Sequence, residues 1–307
     1  MHVMVIGSGA MGALFGGRLA DAGEDVTLVD VWEEHVEAIN RNGLEMETPD
    51  GEMKTIPVDA TTDPETVSDV DLALVFVKST HTEEAVRGAR DALDGADVLT
   101  LQNGLGNPDA LADVVDESQV IAGVTAHGST LVEPGAIRHA GRGKTRIGRY
   151  FDDNGSRVEE VAAAFTDAGI ETTVAEDVRS AIWEKILVNV GINPVTALTR
   201  VRNGLLAETE PGQRVVRAAV SEAKRVAEAE GVDIEDDVVE YVLEVAEQTA
   251  ANKSSMRQDV EAGRTTEIEK LNAAVVRRAD EHGVAVPVNE TLVDLIRLAE
   301  QREEADG

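Results

Sequence analysis

The feature that most constrains this chain is an apolar run, Val3-Met4-Val5-Ile6, followed at once by Gly7-Ser8-Gly9-Ala10-Met11-Gly12 and an Ala- and Leu-containing stretch to Asp21. A short continuous apolar run suits a parallel strand covered on both faces. Gly23 closes the stretch that follows, and Val26 to Val29 reads as a second strand, so about 30 residues form one βαβ unit. In such a unit the glycines have separate tasks. Gly7 permits the tight turn, Gly9 lets the backbone approach a pyrophosphate, and Gly12 lets helix and strand pack closely. The amides at the helix start, with Ser8, Ala10 and Met11 around them, then hold the anion.

Asp30 lies 18 residues after Gly12, where a carboxylate accepts hydrogen bonds from an adenosine ribose and repels a 2′-phosphate. The next residue is Val31, not an arginine, so the expected cofactor is NADH in preference to NADPH. The bland alternative, one more surface acid, stays open.

Further strands are expected at Leu72 to Val77, Val98 to Leu101 and Val120 to Val124, with a helix over Glu83 to Leu93. Strands alternating with helices imply an α/β domain, a Rossmann-type doubly wound parallel sheet. After Ile170 to Val174 the periodicity becomes helical to the end, with segments near 178–192, 211–230, 236–250, 266–282 and 289–303. The expected division is therefore 1–176, a dinucleotide-binding domain, and 177–307, an all-helical substrate-binding domain.

Charge narrows the partners. Asp plus Glu number 59 against 28 Lys plus Arg, a formal net charge of −31. Nucleic acids and anionic membranes both demand clustered positive charge, so neither is an expected partner. An acid excess on this scale is tolerated best where molar salt shortens the screening length to about 3 Å, which points to a salt-rich cytoplasm. Cysteine is absent and the six histidines are scattered, so no metal site is expected. The chain begins directly in a strand-like run and contains no apolar stretch of membrane-spanning length, which again favours a soluble, cytoplasmic protein.

The most unusual segment is Trp183-Glu184-Lys185-Ile186-Leu187-Val188-Asn189-Val190-Gly191-Ile192-Asn193-Pro194. Lys185, Asn189 and Asn193 fall at i, i+4 and i+8, so one helix face carries an ammonium and two carboxamides among apolar neighbours. That arrangement reads as the lining of a cleft rather than solvated surface. A second polar cluster, Asn252-Lys253-Ser254-Ser255-Met256-Arg257-Gln258-Asp259, follows a helix ending near Ala251. Glu267 is then expected to open the next helix, with Thr265 or Thr266 as its cap.

The glycine turn, Val77-Lys78, Gln102-Asn103-Gly104, Lys185-x3-Asn189-x3-Asn193-Pro194, Asn203-Gly204, Asn252-x2-Ser255-Met256-x2-Asp259 and Glu267 occur in the order of the ketopantoate reductase (2-dehydropantoate 2-reductase) pattern, and the chain resembles that family over nearly its whole length. The resemblance implies NAD(P)H-dependent reduction of 2-dehydropantoate to (R)-pantoate, a step toward coenzyme A, with Lys185 as general acid. It implies that Glu267 engages substrate and orders the lysine, and that Asn189, Asn193, Asn203, Asn252 and Ser255 contact substrate. Lys78 and Asn103 fall near the cofactor, Asn103 also toward substrate. Asp30-Val31 departs from NADPH-using relatives, which often place Arg just after the second strand; NADPH remains possible from the family.

An ammonium beside a ketone both stabilises the developing alkoxide and supplies its proton, so the residue chemistry agrees with the resemblance. Two alternatives remain: a related two-domain dehydrogenase acting on another 2-oxo acid, and a dinucleotide-sensing protein without turnover. The sequence leaves His127 either structural or near the nicotinamide. The apolar residues of the helical half suffice either for a homodimer face or for packing on the first domain.

Overall fold

The computed structural model describes residues 1–306 and divides into two units. The first comprises Met1–Gln102 and Asn107–Val178, and the second Asn103–Gly106 and Arg179 onward.

In the first unit the elements run β1 (His2–Ile6), α1 (Ala10–Asp21), β2 (Asp25–Val29), α2 (Glu33–Asn42), β3 (Leu44–Glu47), β4 (Met53–Ile56), β5 (Asp59–Thr61), β6 (Leu72–Val75), α3 (Thr82–Gly88), β7 (Asp97–Thr100), α4 (Asn107–Ala112), β8 (Val120–Thr125), β9 (Gly128–Glu133), β10 (Ala136–Gly141), β11 (Thr145–Arg149), α5 (Ser156–Asp167) and β12 (Thr172–Val174). Eight strands form one sheet in the order β12-β11-β8-β7-β6-β1-β2-β5. β1 sits between β6 and β2, parallel to both, and only the β8–β11 pairing is antiparallel. Alternation along each central strand explains its composition, since successive side chains face opposite sides of the sheet. Val3, Val5, Leu72 and Leu74 enter one apolar core, whereas Met4, Ile6, Ala73 and Val75 enter the other. Both faces are covered, so every position must be apolar.

A second sheet, order β4-β3-β10-β9, was not expected from the sequence. Its strands are short and mix polar with apolar residues, as in Leu44-Glu45-Met46-Glu47, and no long run announces them. Their buried side, Leu44, Met46, Ile56 and Ile137, joins the core that also holds Leu14 and Phe15 of α1. The α1 helix thus serves both sheets.

That junction settles the place of His127. It is 8% exposed, and its Nδ1 lies 3.1 Å from His139 Nε2, while Arg18 Nη2 lies 3.2 Å from His139 Nδ1. An arginine has only donors, so His139 Nδ1 accepts and its Nε2 carries the proton. The His139 Nε2–H faces both Gly141 O at 3.0 Å and His127 Nδ1. Burial, with Arg18 adjacent, pushes both imidazoles below the ordinary histidine value, His139 to about 4. His127 is therefore part of a neutral chain joining α1, the end of β8 and β10.

The second unit is helical: α6 (Val178–Thr199, entering from the first unit), α7 (Gly204–Glu208), α8 (Glu210–Ala229), α9 (Val238–Gln248), α10 (Ser255–Glu261), α11 (Asn272–His282) and α12 (Pro287–Asp306). Among the described residues no helix is long and apolar enough to cross a membrane. Two expectations need correction. The first helix does not stop before Pro194 but continues through it to Thr199. Proline removes the N–H that would bond the carbonyl four residues back. That carbonyl, Val190 O, accepts instead from Asn272 Nδ2 at 3.3 Å, and Thr196 Oγ1 donates to Ile192 O at 2.8 Å. Nor does Glu267 open a helix. It stands in a turn whose Thr266 hydroxyl accepts the Ile268 N–H at 3.2 Å, and α11 begins only at Asn272.

Candidate active site

The candidate residues fall into two sets, one in each unit. In the first, the glycine turn lies between β1 and α1. Gly7 has φ +92°, and a Cβ on it would meet Val77 N at 2.7 Å; a Cβ on Gly12 would meet Gly7 O at 1.9 Å. Side chains are therefore excluded at both positions. Gly9 is different, with nothing within 4 Å of its Cβ position, and it begins α1 without a side-chain cap. Open space beside uncapped helix amides is what a pyrophosphate requires, so these residues fit a dinucleotide.

Asp30 directly follows β2 and turns its half-buried carboxylate back on this loop. Oδ2 accepts the Ser8 N–H at 2.8 Å and Oδ1 accepts the Trp32 N–H at 3.1 Å. Oδ2 also faces the Ser8 hydroxyl at 3.4 Å, so Oδ1 is the oxygen with a lone pair left for a ribose hydroxyl. Val31 beside it is 92% exposed and brings no cation. Lys78 follows β6, exposed, at a turn whose geometry is set by Gln102: Nε2 of Gln102 donates to Val77 O at 2.6 Å and Oε1 accepts from Thr100 Oγ1 at 2.9 Å. Gln102 was quoted from the sequence only as part of a motif; its bond to the Val77 carbonyl had no local signal.

The second set is built on α6. Along this face Lys185 and Asn189 are half-buried and Asn193 is 6% exposed. Asn103–Gly106, although between β7 and α4 in the chain, belongs to this unit. Gly104 at φ +91° approaches Lys270 so closely that a Cβ would meet its backbone oxygen at 2.6 Å, and Leu105 N–H donates to that oxygen at 3.2 Å. The docked segment sets Asn103 Nδ2 at 3.3 Å from both oxygens of Glu267. Glu267 is also the charge that acts on Lys185. Burial lowers the Lys185 ammonium to about 8, and the Glu267 carboxylate offsets part of that fall. Asn103, Lys185 and Glu267, far apart in sequence, thus act on one another.

The remaining substrate candidates sit where α6, α7, α9 and α10 approach. Asn203 is buried; its N–H donates to Asn252 O at 3.2 Å and its Nδ2 to Thr249 Oγ1 at 3.0 Å. Its Oδ1 is buried without a partner, and an unpaired buried acceptor is unusual enough to need an explanation. Asn252 and Ser255 are exposed. Ser255 opens α10 beside Ser254, whose hydroxyl lies 2.7 Å from Thr196 Oγ1 on α6 and accepts the Arg257 N–H. Among the described residues no cluster of His, Cys, Asp and Glu is arranged to hold a metal ion.

Comparison with known proteins bears on this arrangement. Residues 3–151 match the family model described as ketopantoate reductase PanE/ApbA, and residues 177–300 match its C-terminal counterpart. The 2-dehydropantoate 2-reductase of Halobacterium salinarum is 50% identical over 301 residues, covering 98% of this chain and 99% of that protein. A PanE/ApbA family ketopantoate reductase from Ralstonia eutropha superposes with a TM-score of 0.89 at 37% identity, covering 99% of this chain and 100% of the other. A D-mandelate dehydrogenase solved with NADH and anilino(oxo)acetate reaches 0.88 at 27% identity, covering 98% and 99%.

Proposed function

The chain belongs to the ketopantoate reductase family, and from that premise we propose that it reduces 2-dehydropantoate to (R)-pantoate with a nicotinamide dinucleotide, Lys185 delivering the proton. It is an NAD(P)-dependent oxidoreductase. The observation that carries the mechanism is the half-buried lysine set at about 8 beside Glu267. A general acid works best when its pKa lies near the operating pH.

When bound, the cofactor supplies the hydride that adds to the substrate's C2 carbonyl carbon. The chain's own residues do the rest. The Lys185 ammonium stabilises the negative charge growing on the carbonyl oxygen and transfers one proton to it, giving the alcohol and leaving a neutral amine to be reprotonated. Glu267 raises the proton affinity of that amine and is held in place by the Asn103 amide. Asn189 and Asn193 extend the polar face of α6 toward the rest of the substrate, with Asn252 and Ser255 as further contacts. The unpartnered Asn203 Oδ1 accepts a substrate hydroxyl. In the first unit, Gly7 to Gly12 hold the pyrophosphate, Asp30 the adenosine ribose, and Lys78 and Asn103 stand toward the cofactor; Asp30 followed by Val31 favours NADH. The acidic composition, with a net charge of −31, supports a salt-rich cytoplasm as its setting. The D-mandelate dehydrogenase likeness favours a second reading, another 2-oxo acid as substrate.

Lys185→Ala should lower kcat for 2-dehydropantoate reduction by about 10² to 10⁴, as expected for loss of a positioned general acid. In the wild-type protein kcat should be level at neutral pH and fall as pH rises through the Lys185 value of about 8, because only the ammonium can donate. Near-normal turnover by the alanine variant, or a rate indifferent to pH up to 10, removes Lys185 from the role.

A further inference from the structure

The glycine turn is held by a residue that sequence reasoning passed over. His35 lies on α2, which reads as an ordinary amphipathic surface helix, yet it is 0% exposed. Trp32 lies flat over its ring, centroids 5.3 Å apart and 10° from parallel. The Gly135 N–H, in the turn between β9 and β10, points at His35 Nδ1 at 3.0 Å. Nδ1 must therefore accept, and the ring proton resides on Nε2. Nε2 lies 2.9 Å from the carbonyl oxygen of Ser8, so His35 donates to it. Burial, outweighing the Ser8 bond and the Asp30 carboxylate, which is the charged group acting on the ring, keeps the imidazole neutral below the ordinary histidine value.

The consequence follows from peptide geometry. Ser8 C=O and Gly9 N–H belong to one peptide plane, which is trans as all peptide bonds here are. In a trans peptide they point in opposite directions, so fixing the carbonyl aims the N–H. The preceding peptide is fixed too, since Ser8 N–H is bound by Asp30 Oδ2. Ser8 is thus flanked by two anchored peptides, and the N–H of Gly9, the one glycine of the turn with open space beside it, is directed away from His35.

We propose that His35, in its Nε2–H form, is a positioning residue for dinucleotide binding: it aims the Gly9 amide at the pyrophosphate and links the turn to the β9–β10 hairpin through Gly135. This rests on the reading of the turn as a dinucleotide cradle. The partition of its two bonds makes it testable. Asn at 35 keeps an acceptor for Gly135 N–H but cannot reach Ser8, whereas Gln can still donate to Ser8.

The experiment is titration of the full-length protein with NADH and with ADP-ribose, followed by binding heat in molar salt, alongside steady-state kinetics. His35→Asn should weaken both ligands by about tenfold, the value of one lost hydrogen bond. His35→Gln should stay within about threefold of wild type, and the change should appear in KM for NADH rather than in kcat at saturating NADH. Should the Asn variant not fold, His35→Phe, which fills the ring's place without a donor, takes over the same expectation. Unweakened binding by the donor-less variant, or equal loss in the Gln and Asn variants, would overturn the proposal. Failure of the wild-type protein to bind either ligand would overturn the dinucleotide reading itself, and this inference with it.

Discussion

Asp30 has two tasks at once: it anchors the Ser8 N–H and presents a negative charge where an adenosine ribose is expected. Only the second depends on charge. Asp30→Asn keeps an oxygen acceptor for Ser8 while removing the repulsion toward a 2′-phosphate, which at near-surface dielectric is on the order of 1 to 2 kcal/mol. The ratio of kcat/KM for NADPH over NADH should therefore rise by about tenfold or more; an unchanged ratio would place Asp30 away from the ribose. Spacing singles out Asp30 and Lys185 in the sequence, and the family resemblance singles out Glu267. Their electrostatics were not legible there. The lysine value of about 8 depends on burial and on Glu267, 82 residues further along the chain, and the Asn103–Glu267 bond depends on four residues packing with a unit other than that of their sequence neighbours.

At the scale of elements, α6 shows where sequence reasoning stops. A proline after a polar-lined helix reads as its end, and locally that is sound. The helix continues because Asn272, from α11, supplies the missing donor to Val190 O while also donating to Asn289 Oδ1 at 3.0 Å. Asn272→Ala should leave both acceptors short of a partner in a dry core and lower the unfolding free energy by about 1 to 3 kcal/mol in urea titration. A loss under about 0.5 kcal/mol would mean that Val190 O needs no such donor. The same limit explains the second sheet: the glycine turn and the all-apolar strands β1 and β6 announce themselves, whereas β3, β4, β9 and β10 are short and half polar, and only the α1 surface they cover makes them strands. Glu267 was misplaced onto a helix because the Thr266 hydroxyl that would cap one instead closes a turn.

For the molecule as a whole, the net charge of −31 is the dominant physical fact outside the site. At about 0.1 M ionic strength the screening length is about 10 Å and neighbouring surface acids repel; at about 1 M it is about 3 Å and most of that repulsion is gone. Activity is therefore best measured in molar potassium chloride. The most direct test of the account is steady-state kcat/KM in that medium for 2-dehydropantoate against 2-oxo acids lacking its 4-hydroxyl, each with NADH and NADPH. On the proposed pairing of the buried Asn203 Oδ1 with a substrate hydroxyl, an analogue without that hydroxyl should be rejected, since the acceptor would stay unpaired. The account predicts 2-dehydropantoate ahead of every such analogue by about tenfold or more, with NADH the better donor. Preference for a 2-oxo acid without the 4-hydroxyl would contradict it.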